Sequence, residues 1–200
     1  MSQDLDGIKF TLSYNKKSYE LKAPIYGLHQ ANNISLAFIM ALQLGIPAET
    51  IKASLLTLKQ VEHRLEVKKQ PNGITIIDDG FNSNVDGFIS ALDTLKTLSK
   101  NGRAILITPG MVELGAKHKE QHIKVAKYAL KTCDIVIAVV PDRIKDFVDT
   151  FKNSMNKNQQ IILVDSFKEA LIWTGENAKK GDVILYENDL PDVFEAKIKI

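Results

Sequence analysis

From residue 63 onward, short runs of isoleucine, valine and leucine alternate with stretches whose apolar residues recur at helical spacing. Few folds accommodate that order. Residues 65–69 and 73–78 read as strands around a turn at Pro71, Asn72 and Gly73. Phe88, Leu92, Leu95 and Leu98 form a helical stripe. Residues 103–108 read as a buried strand, 117–130 as a helix, 134–140 as a strand, 143–151 as a helix and Gln160–Val164 as a strand. Residues 166–178 read as a helix with Ser166 as its N-cap, and 183–186 as the last strand. Uninterrupted aliphatic strands are apolar toward both faces, so they belong to a mostly parallel sheet covered by helices on both sides. The expected fold class is therefore α/β and Rossmann-like.

The front of the chain reads differently. Two alternating runs, residues 8–14 and 18–23, flank Asn15, Lys16 and Lys17 and predict a β-hairpin closed off by Pro24 and Gly27. Ile34, Ala37, Phe38, Ala41 and Leu44 follow at helical spacing up to Gly45, and Pro47 opens a second helix with Ile51, Leu55 and Leu58 on one face. A hairpin and two helices lack a complete sheet to pack on. This stretch reads as the tail of a larger domain, with 60–62 as the linker. The expected division is 1–62 and 63–200.

Bulk properties exclude several classes. The apolar share of 44% and charged share of 25% are ordinary for a globular chain. A net charge of +2, with no basic cluster interleaved with aromatics, gives no nucleic-acid footprint. One cysteine, Cys133, permits neither an internal disulfide nor a multi-cysteine metal site, and is expected at the start of a buried strand. No apolar run approaches the roughly 20 residues that span a bilayer, and the acidic N-terminus is no signal peptide. The expected location is the cytoplasm.

In a parallel sheet, ligands sit beyond the carboxyl ends of the strands. Three polar segments stand there. Asp78-Asp79-Gly80-Phe81-Asn82-Ser83-Asn84 suits hydroxyls or amines, or else forms a turn with Asn84 or Asp86 as a helix cap. Gly110-Met111-Val112-Glu113-Leu114-Gly115 superficially resembles a phosphate loop, but Ala116 and His118 break the required Gly-Lys-Ser/Thr order. His118 and His122, one helical turn apart, read as an exposed polar helix face rather than a metal pair, because no third ligand is evident. Glu62-His63-Arg64-Leu65-Glu66 places an arginine at the junction, either to reach ligand phosphates or to form an ion pair between the two parts.

Taken in order, these segments resemble the Mur ligase family. The carriers are Gly27-Leu28-His29-Gln30-Ala31-Asn32-Asn33 with Leu44-Gly45-Ile46, then His63-Arg64-Leu65-Glu66, then Asp78–Asn84 with Val85, then Pro109–Gly115, then Glu187-Asn188-Asp189-Leu190-Pro191-Asp192. The resemblance covers nearly the whole chain and favours the branch that adds D-alanyl-D-alanine. Gln30, Phe81 and Val85 stand where that pattern usually has asparagine, tyrosine and proline.

The resemblance implies an ATP-dependent ligase of peptidoglycan precursor synthesis. In such a ligase ATP activates a UDP-MurNAc-peptide carboxylate as an acyl phosphate, and an incoming amino acid or dipeptide displaces phosphate. It implies that Asn33 recognises adenine, with His29 shaping that pocket. Arg64 would approach the ATP phosphates as the catalytic contact, Asp79 would accept from the ribose hydroxyls, and Asn82 and Asn84 would place the incoming amine. It further implies that the phosphate loop and the Mg2+ ligands of the intact enzyme lie outside this chain, in a missing N-terminal half, so that the chain alone would be inactive. An exposed apolar face on 1–62 would accompany that arrangement. The competing expectations are a non-catalytic Rossmann-like module that binds a nucleotide or a partner chain, and a ligase resembling folylpolyglutamate synthase.

Overall fold

The computed structural model describes residues 1–81 and 84–188. It opens with three antiparallel strands, β1 (Ser2–Asp4), β2 (Gly7–Tyr14) and β3 (Lys17–Ala23). The expected hairpin is β2–β3, but its turn is tighter than the sequence suggests. Tyr14 pairs with Lys17, leaving Asn15 and Lys16 as a two-residue loop with both φ angles positive. Such loops match the right-handed twist of the flanking strands. β1 was not foreseen, because three polar residues carry no alternation signal.

Helices α1 (Gln30–Gln43) and α2 (Ala48–Leu55) pack on this small sheet. Their core is Ile8, Leu21, Ala23, Ala31, Ile34, Phe38, Ile51 and Leu55, with the Tyr19 and Phe38 rings 5.1 Å apart. Three residues of the expected apolar faces lie outside it, the first being Ala37, which is exposed on α1. Leu44 caps α1 and is 80% exposed, and Leu58 falls beyond the end of α2. On the opposite side of α1, Leu36, Met40 and Leu44 are spaced four residues apart and all exposed. This is the uncovered apolar face anticipated for 1–62.

The second sheet has the order β4-β5-β9-β6-β7-β8. Its strands are β4 (Glu66–Lys69), β5 (Thr75–Asp79), β6 (Ala104–Thr108), β7 (Ile135–Val139), β8 (Gln160–Val164) and β9 (Val183–Glu187). Only β4 runs antiparallel, to β5. The helices are α3 (Val85–Leu98), α4 (His118–Ala129), α5 (Lys145–Ser154) and α6 (Phe167–Asn177). Ser166 caps α6 as expected, its side chain accepting from the Glu169 amide. Cys133 is buried just before β7, and burial pushes its thiol up to about 12.

Coverage of the two faces is unequal. Alternate strand residues such as Leu106, Val136 and Leu185 face α3, α4 and α5. Ile105, Ile137 and Ile184 face the other way, toward α6. One helix cannot cover six strands, so β4 and β5 stay bare on the α6 side. The expected linker is not slack either. The Gln60 carboxamide accepts from the Val67 amide at 2.6 Å and donates to the Val67 carbonyl at 3.1 Å, fastening it to β4.

The α1 stripe makes a distinction that can be measured. Replacing Leu36 and Met40 together by lysine should leave the melting temperature nearly unchanged, because neither side chain is buried. The same pair should reduce self-association in light scattering. Phe38→Ala, fully buried midway between them in sequence, should cost about 3–5 kcal/mol.

Candidate functional site

The site is assembled where the hinge meets the carboxyl ends of β5 and β9. The hinge backbone is unusual. His63 and Leu65 both have positive φ, 56° and 52°, although neither is glycine. Such conformations persist only where neighbours hold them. Here the segment Asp78–Phe81 does so. Asp79 Oδ1 accepts from the Leu65 amide at 2.9 Å, the Phe81 amide donates to the His63 carbonyl at 3.2 Å, and the His63 ring meets Asp78 at 3.0 Å. Between these anchors, the Arg64 guanidinium lies over the Phe81 ring, 3.9 Å from its centroid. Among the described residues, Arg64 has no carboxylate within ion-pair distance, and its guanidinium contact there is the Phe81 ring.

Strand alternation separates the two adjacent acids, because successive side chains point to opposite faces. Sequence reading ended this strand at Asp78, and β5 runs one residue further to Asp79. Asp79 turns toward the α3 side beside Glu187, its register partner on β9. Both are buried. Burial pushes the Asp79 carboxyl up to about 6, against the opposing pull of the Leu65 amide, Glu187 and Arg64. Removal from water disfavours the charged carboxylate, so burial beside a second carboxyl favours the protonated form of Asp79. Asp79 is thus a structural anchor as well as a strand-end acceptor.

Asp78 turns to the bare α6 side. There it lines a cleft of about 560 Å3 with His63, Lys68, Ile76, Phe81, Phe167, Leu171, Tyr186 and Asn188. Lys68 reaches Glu66 at 2.8 Å and Asp78 at 3.4 Å. Burial would raise the Asp78 carboxyl, but hydrogen bonds from His63, Gly80 and Lys68 hold it below its ordinary value. The same Asp78 contact raises His63.

The loop after β6 is tied to its neighbours at its start. The Gly110 amide is taken by Thr108 Oγ1 at 2.9 Å and the Met111 amide by His122 Nε2 at 3.1 Å. Arg143 donates to the Pro109 and Met111 carbonyls, and Asn188 Nδ2 donates to the Gly110 carbonyl. These contacts commit the first two amides of the loop to the protein itself. His122 is 1% exposed, so the exposed-face reading of His118 and His122 is overturned for it. Its Nδ1 donates to the His118 carbonyl at 2.8 Å, fixing a neutral tautomer, and burial lowers it to about 4. Gly110 has φ 77°, and an added Cβ would lie 2.5 Å from His122 Nε2. Among the described residues, no three His, Cys, Asp or Glu side chains gather as a metal site.

The other expected residues spread along the junction. His29 Nδ1 lies 3.1 Å from Ser90 on α3, joining the front part to the α/β part. Asn33 donates to Gln30 at 2.8 Å, and Gln30 shares a small cavity with Arg64. Asn84 Oδ1 accepts from the Gly87 amide at 2.9 Å as the α3 cap, so its acceptor is committed. Asn82 lies outside the described residues. Sequence reading missed His63, Lys68, Tyr186 and Glu187 as site residues. The available signal was the alternation of β5 and β9, which decides what faces each side.

Two buried groups give opposite pH dependences. Asp79 binds its proton more tightly in the folded chain, so its contribution is full below its ordinary value of 3.8 and is lost as pH rises through about 6. His122 binds its proton less tightly when folded, so its contribution is full above 6.5 and is lost as pH falls toward about 4. Between pH 4 and 6 the two slopes oppose each other. Asp79→Asn should unmask the histidine, giving a stability that rises with pH by about 3 kcal/mol across that window. His122→Gln should unmask the opposite slope. Denaturant melts at half-unit pH steps would refute the assignment if both variants followed the parent curve.

Residues 63–186 match the family described as Mur ligase, glutamate ligase domain. The chain is 28% identical over 197 residues to the UDP-N-acetylmuramoyl-tripeptide--D-alanyl-D-alanine ligase of Bacillus subtilis (strain 168), covering 94% of this chain and 40% of that protein. It is 32% identical over 178 residues to the UDP-N-acetylmuramoylalanine--D-glutamate ligase of Caldanaerobacter subterraneus subsp. tengcongensis, covering 88% and 37%. Among solved structures it is similar to the MurF ligase from Thermotoga maritima in complex with ADP, with TM-score 0.72 and 21% identity, covering 90% and 42%. A pseudomurein peptide ligase type C from Methanothermus fervidus gives TM-score 0.67 and 26% identity, covering 90% and 37%. The chain thus spans 37–42% of the length of these four proteins. With more than half of its residues matched by the family, and the ordered segments above in place, the chain belongs to the Mur ligase family.

Proposed function

We propose that this chain supplies the C-terminal part of an ATP-dependent acid–amino-acid ligase of cytoplasmic peptidoglycan precursor synthesis. In this reading residues 1–62 end the ATP-binding central domain and residues 63–200 form the domain that closes over the nucleotide. The intact enzyme would join a UDP-MurNAc-peptide to an amino acid or dipeptide. ATP supplies the activation, converting the peptide carboxylate to an acyl phosphate from which the amine expels phosphate. Mg2+ would belong to the intact enzyme, and no step here depends on it.

The chain's own residues position and shield. Asn33 and His29 stand at the start of α1, where a carboxamide and a ring suit adenine. Asp79 offers the acceptor capacity left beyond the Leu65 amide to the ribose. Asn84, though committed as a cap, and Asn82 would flank the incoming amine. Arg64 carries the reading. It is an exposed guanidinium with no carboxylate partner among the described residues, set on a hinge at the carboxyl ends of the strands. A cation held there neutralises phosphate charge as the hinge closes, and closure keeps water from the acyl phosphate.

Nucleotide titration followed by NMR tests this. ADP should bind weakly, with Kd on the order of 0.1–1 mM, and more tightly than adenosine. Arg64→Ala should bring ADP down to the affinity of adenosine without altering adenosine binding. Equal binding of ADP and adenosine by the parent chain would remove Arg64 from the phosphates.

A further inference from the structure

Relatives from two branches match this chain, one named for D-alanyl-D-alanine and the other for D-glutamate. Family membership therefore leaves the incoming amine open. The cleft on the bare face of β4 and β5 addresses it. Its floor is the outward row of the sheet, Ile76 and Asp78 on β5, Lys68 on β4 and Tyr186 on β9. Its far wall is α6, which contributes Phe167 and Leu171. The Phe167 and Tyr186 rings pack 5.6 Å apart and close the inner end. Leu171 is 47% exposed, an apolar side chain that lines the cleft.

Charge is confined to one end, beside the hinge. There His63 and Lys68 face Asp78, with Glu66 behind Lys68. The Lys68 ammonium and the His63 ring meet the Asp78 and Glu66 carboxylates there, so this end offers both donors and acceptors and complements a ligand that carries both an ammonium and a carboxylate. The remaining wall is hydrocarbon and aromatic ring. A volume of about 560 Å3 falls in the range of small-molecule sites. The methyl groups of an alanyl peptide would leave most of it to water, and a side-chain carboxylate would be desolvated against Ile76, Phe167 and Leu171 without a partner.

We propose that this cleft binds a zwitterionic α-amino acid with a large apolar side chain, its carboxylate toward Lys68 and His63, its ammonium toward Asp78 and its side chain between Ile76 and Leu171. Within the ligase reading, on which the substrate role rests, this is the incoming amine. Binding itself does not require that reading.

The test uses the chain with each of six probes, L- and D-phenylalanine, L- and D-leucine, D-glutamate and D-alanyl-D-alanine, followed by amide and methyl NMR shifts. One enantiomer of phenylalanine or leucine should saturate shifts at Ile76, Leu171 and Tyr186, at least tenfold more tightly than D-glutamate or D-alanyl-D-alanine. Leu171→Trp, which fills the cleft from an exposed position, should abolish those shifts while the melting temperature holds. Lys68→Met should weaken binding of the amino acid but not of its decarboxylated amine. Binding of D-glutamate or D-alanyl-D-alanine as tight as the apolar probes would overturn the proposal. So would an absence of cleft shifts with all six, or shifts that survive Leu171→Trp. ADP shifts at Arg64 and Asn33 report the ligase reading separately, so either result can fail without the other.

Discussion

The hinge of this protein hangs on a carboxyl group that water cannot reach. Asp79 ends the strand β5, accepts from the amide of Leu65 and lies beside the buried Glu187 at the end of the neighbouring strand. Leu65 and His63 hold left-handed backbone conformations that bulky residues adopt only under constraint. Releasing the Asp79 contact would free the backbone on which Arg64 is mounted. The direction of the guanidinium, the shape of the cleft and the joint between the two parts of the chain all follow from it.

The pleat of β5 then divides the work of two consecutive acids. Asp79 goes inward to structure, and Asp78 goes outward to the cleft, where His63 and Lys68 meet it. The inward acid is raised by burial, and the outward one is held down by its hydrogen bonds. At the far side of the same sheet end, His122 plays a part like that of Asp79. It is buried and neutral, and it secures the amide of Met111 in the loop after β6. Each carboxyl-end segment therefore has one group spent on the backbone, and what remains exposed defines the site.

Much of the α/β layout was legible because its signal is local and repeated. Each of β6, β7 and β9 is buried on both faces and so reads as continuous aliphatic sequence. Ser166 was legible as a cap because a hydroxyl before a helical stripe has few other uses. The strand β1 was not, since its three polar residues owe their conformation to pairing with β2. Asn84 was read two ways, and the structure commits its oxygen to the α3 cap without testing the carboxamide nitrogen as a contact. His122 was misread because a lone histidine in a polar helix does not declare which side of that helix is covered.

The sequence by itself determined the mostly parallel sheet, the order of its elements and the family, because aliphatic runs, helical spacing and ordered short segments are properties of neighbours along the chain. Only the tertiary structure decided which of two adjacent acids is buried, that Gln60 is fastened to β4, that Arg64 rests on Phe81 and that one face of β4 and β5 is left open. Those outcomes depend on strand register and on how many helices reach each face. Both are set by contacts between residues far apart in sequence, which no local pattern encodes.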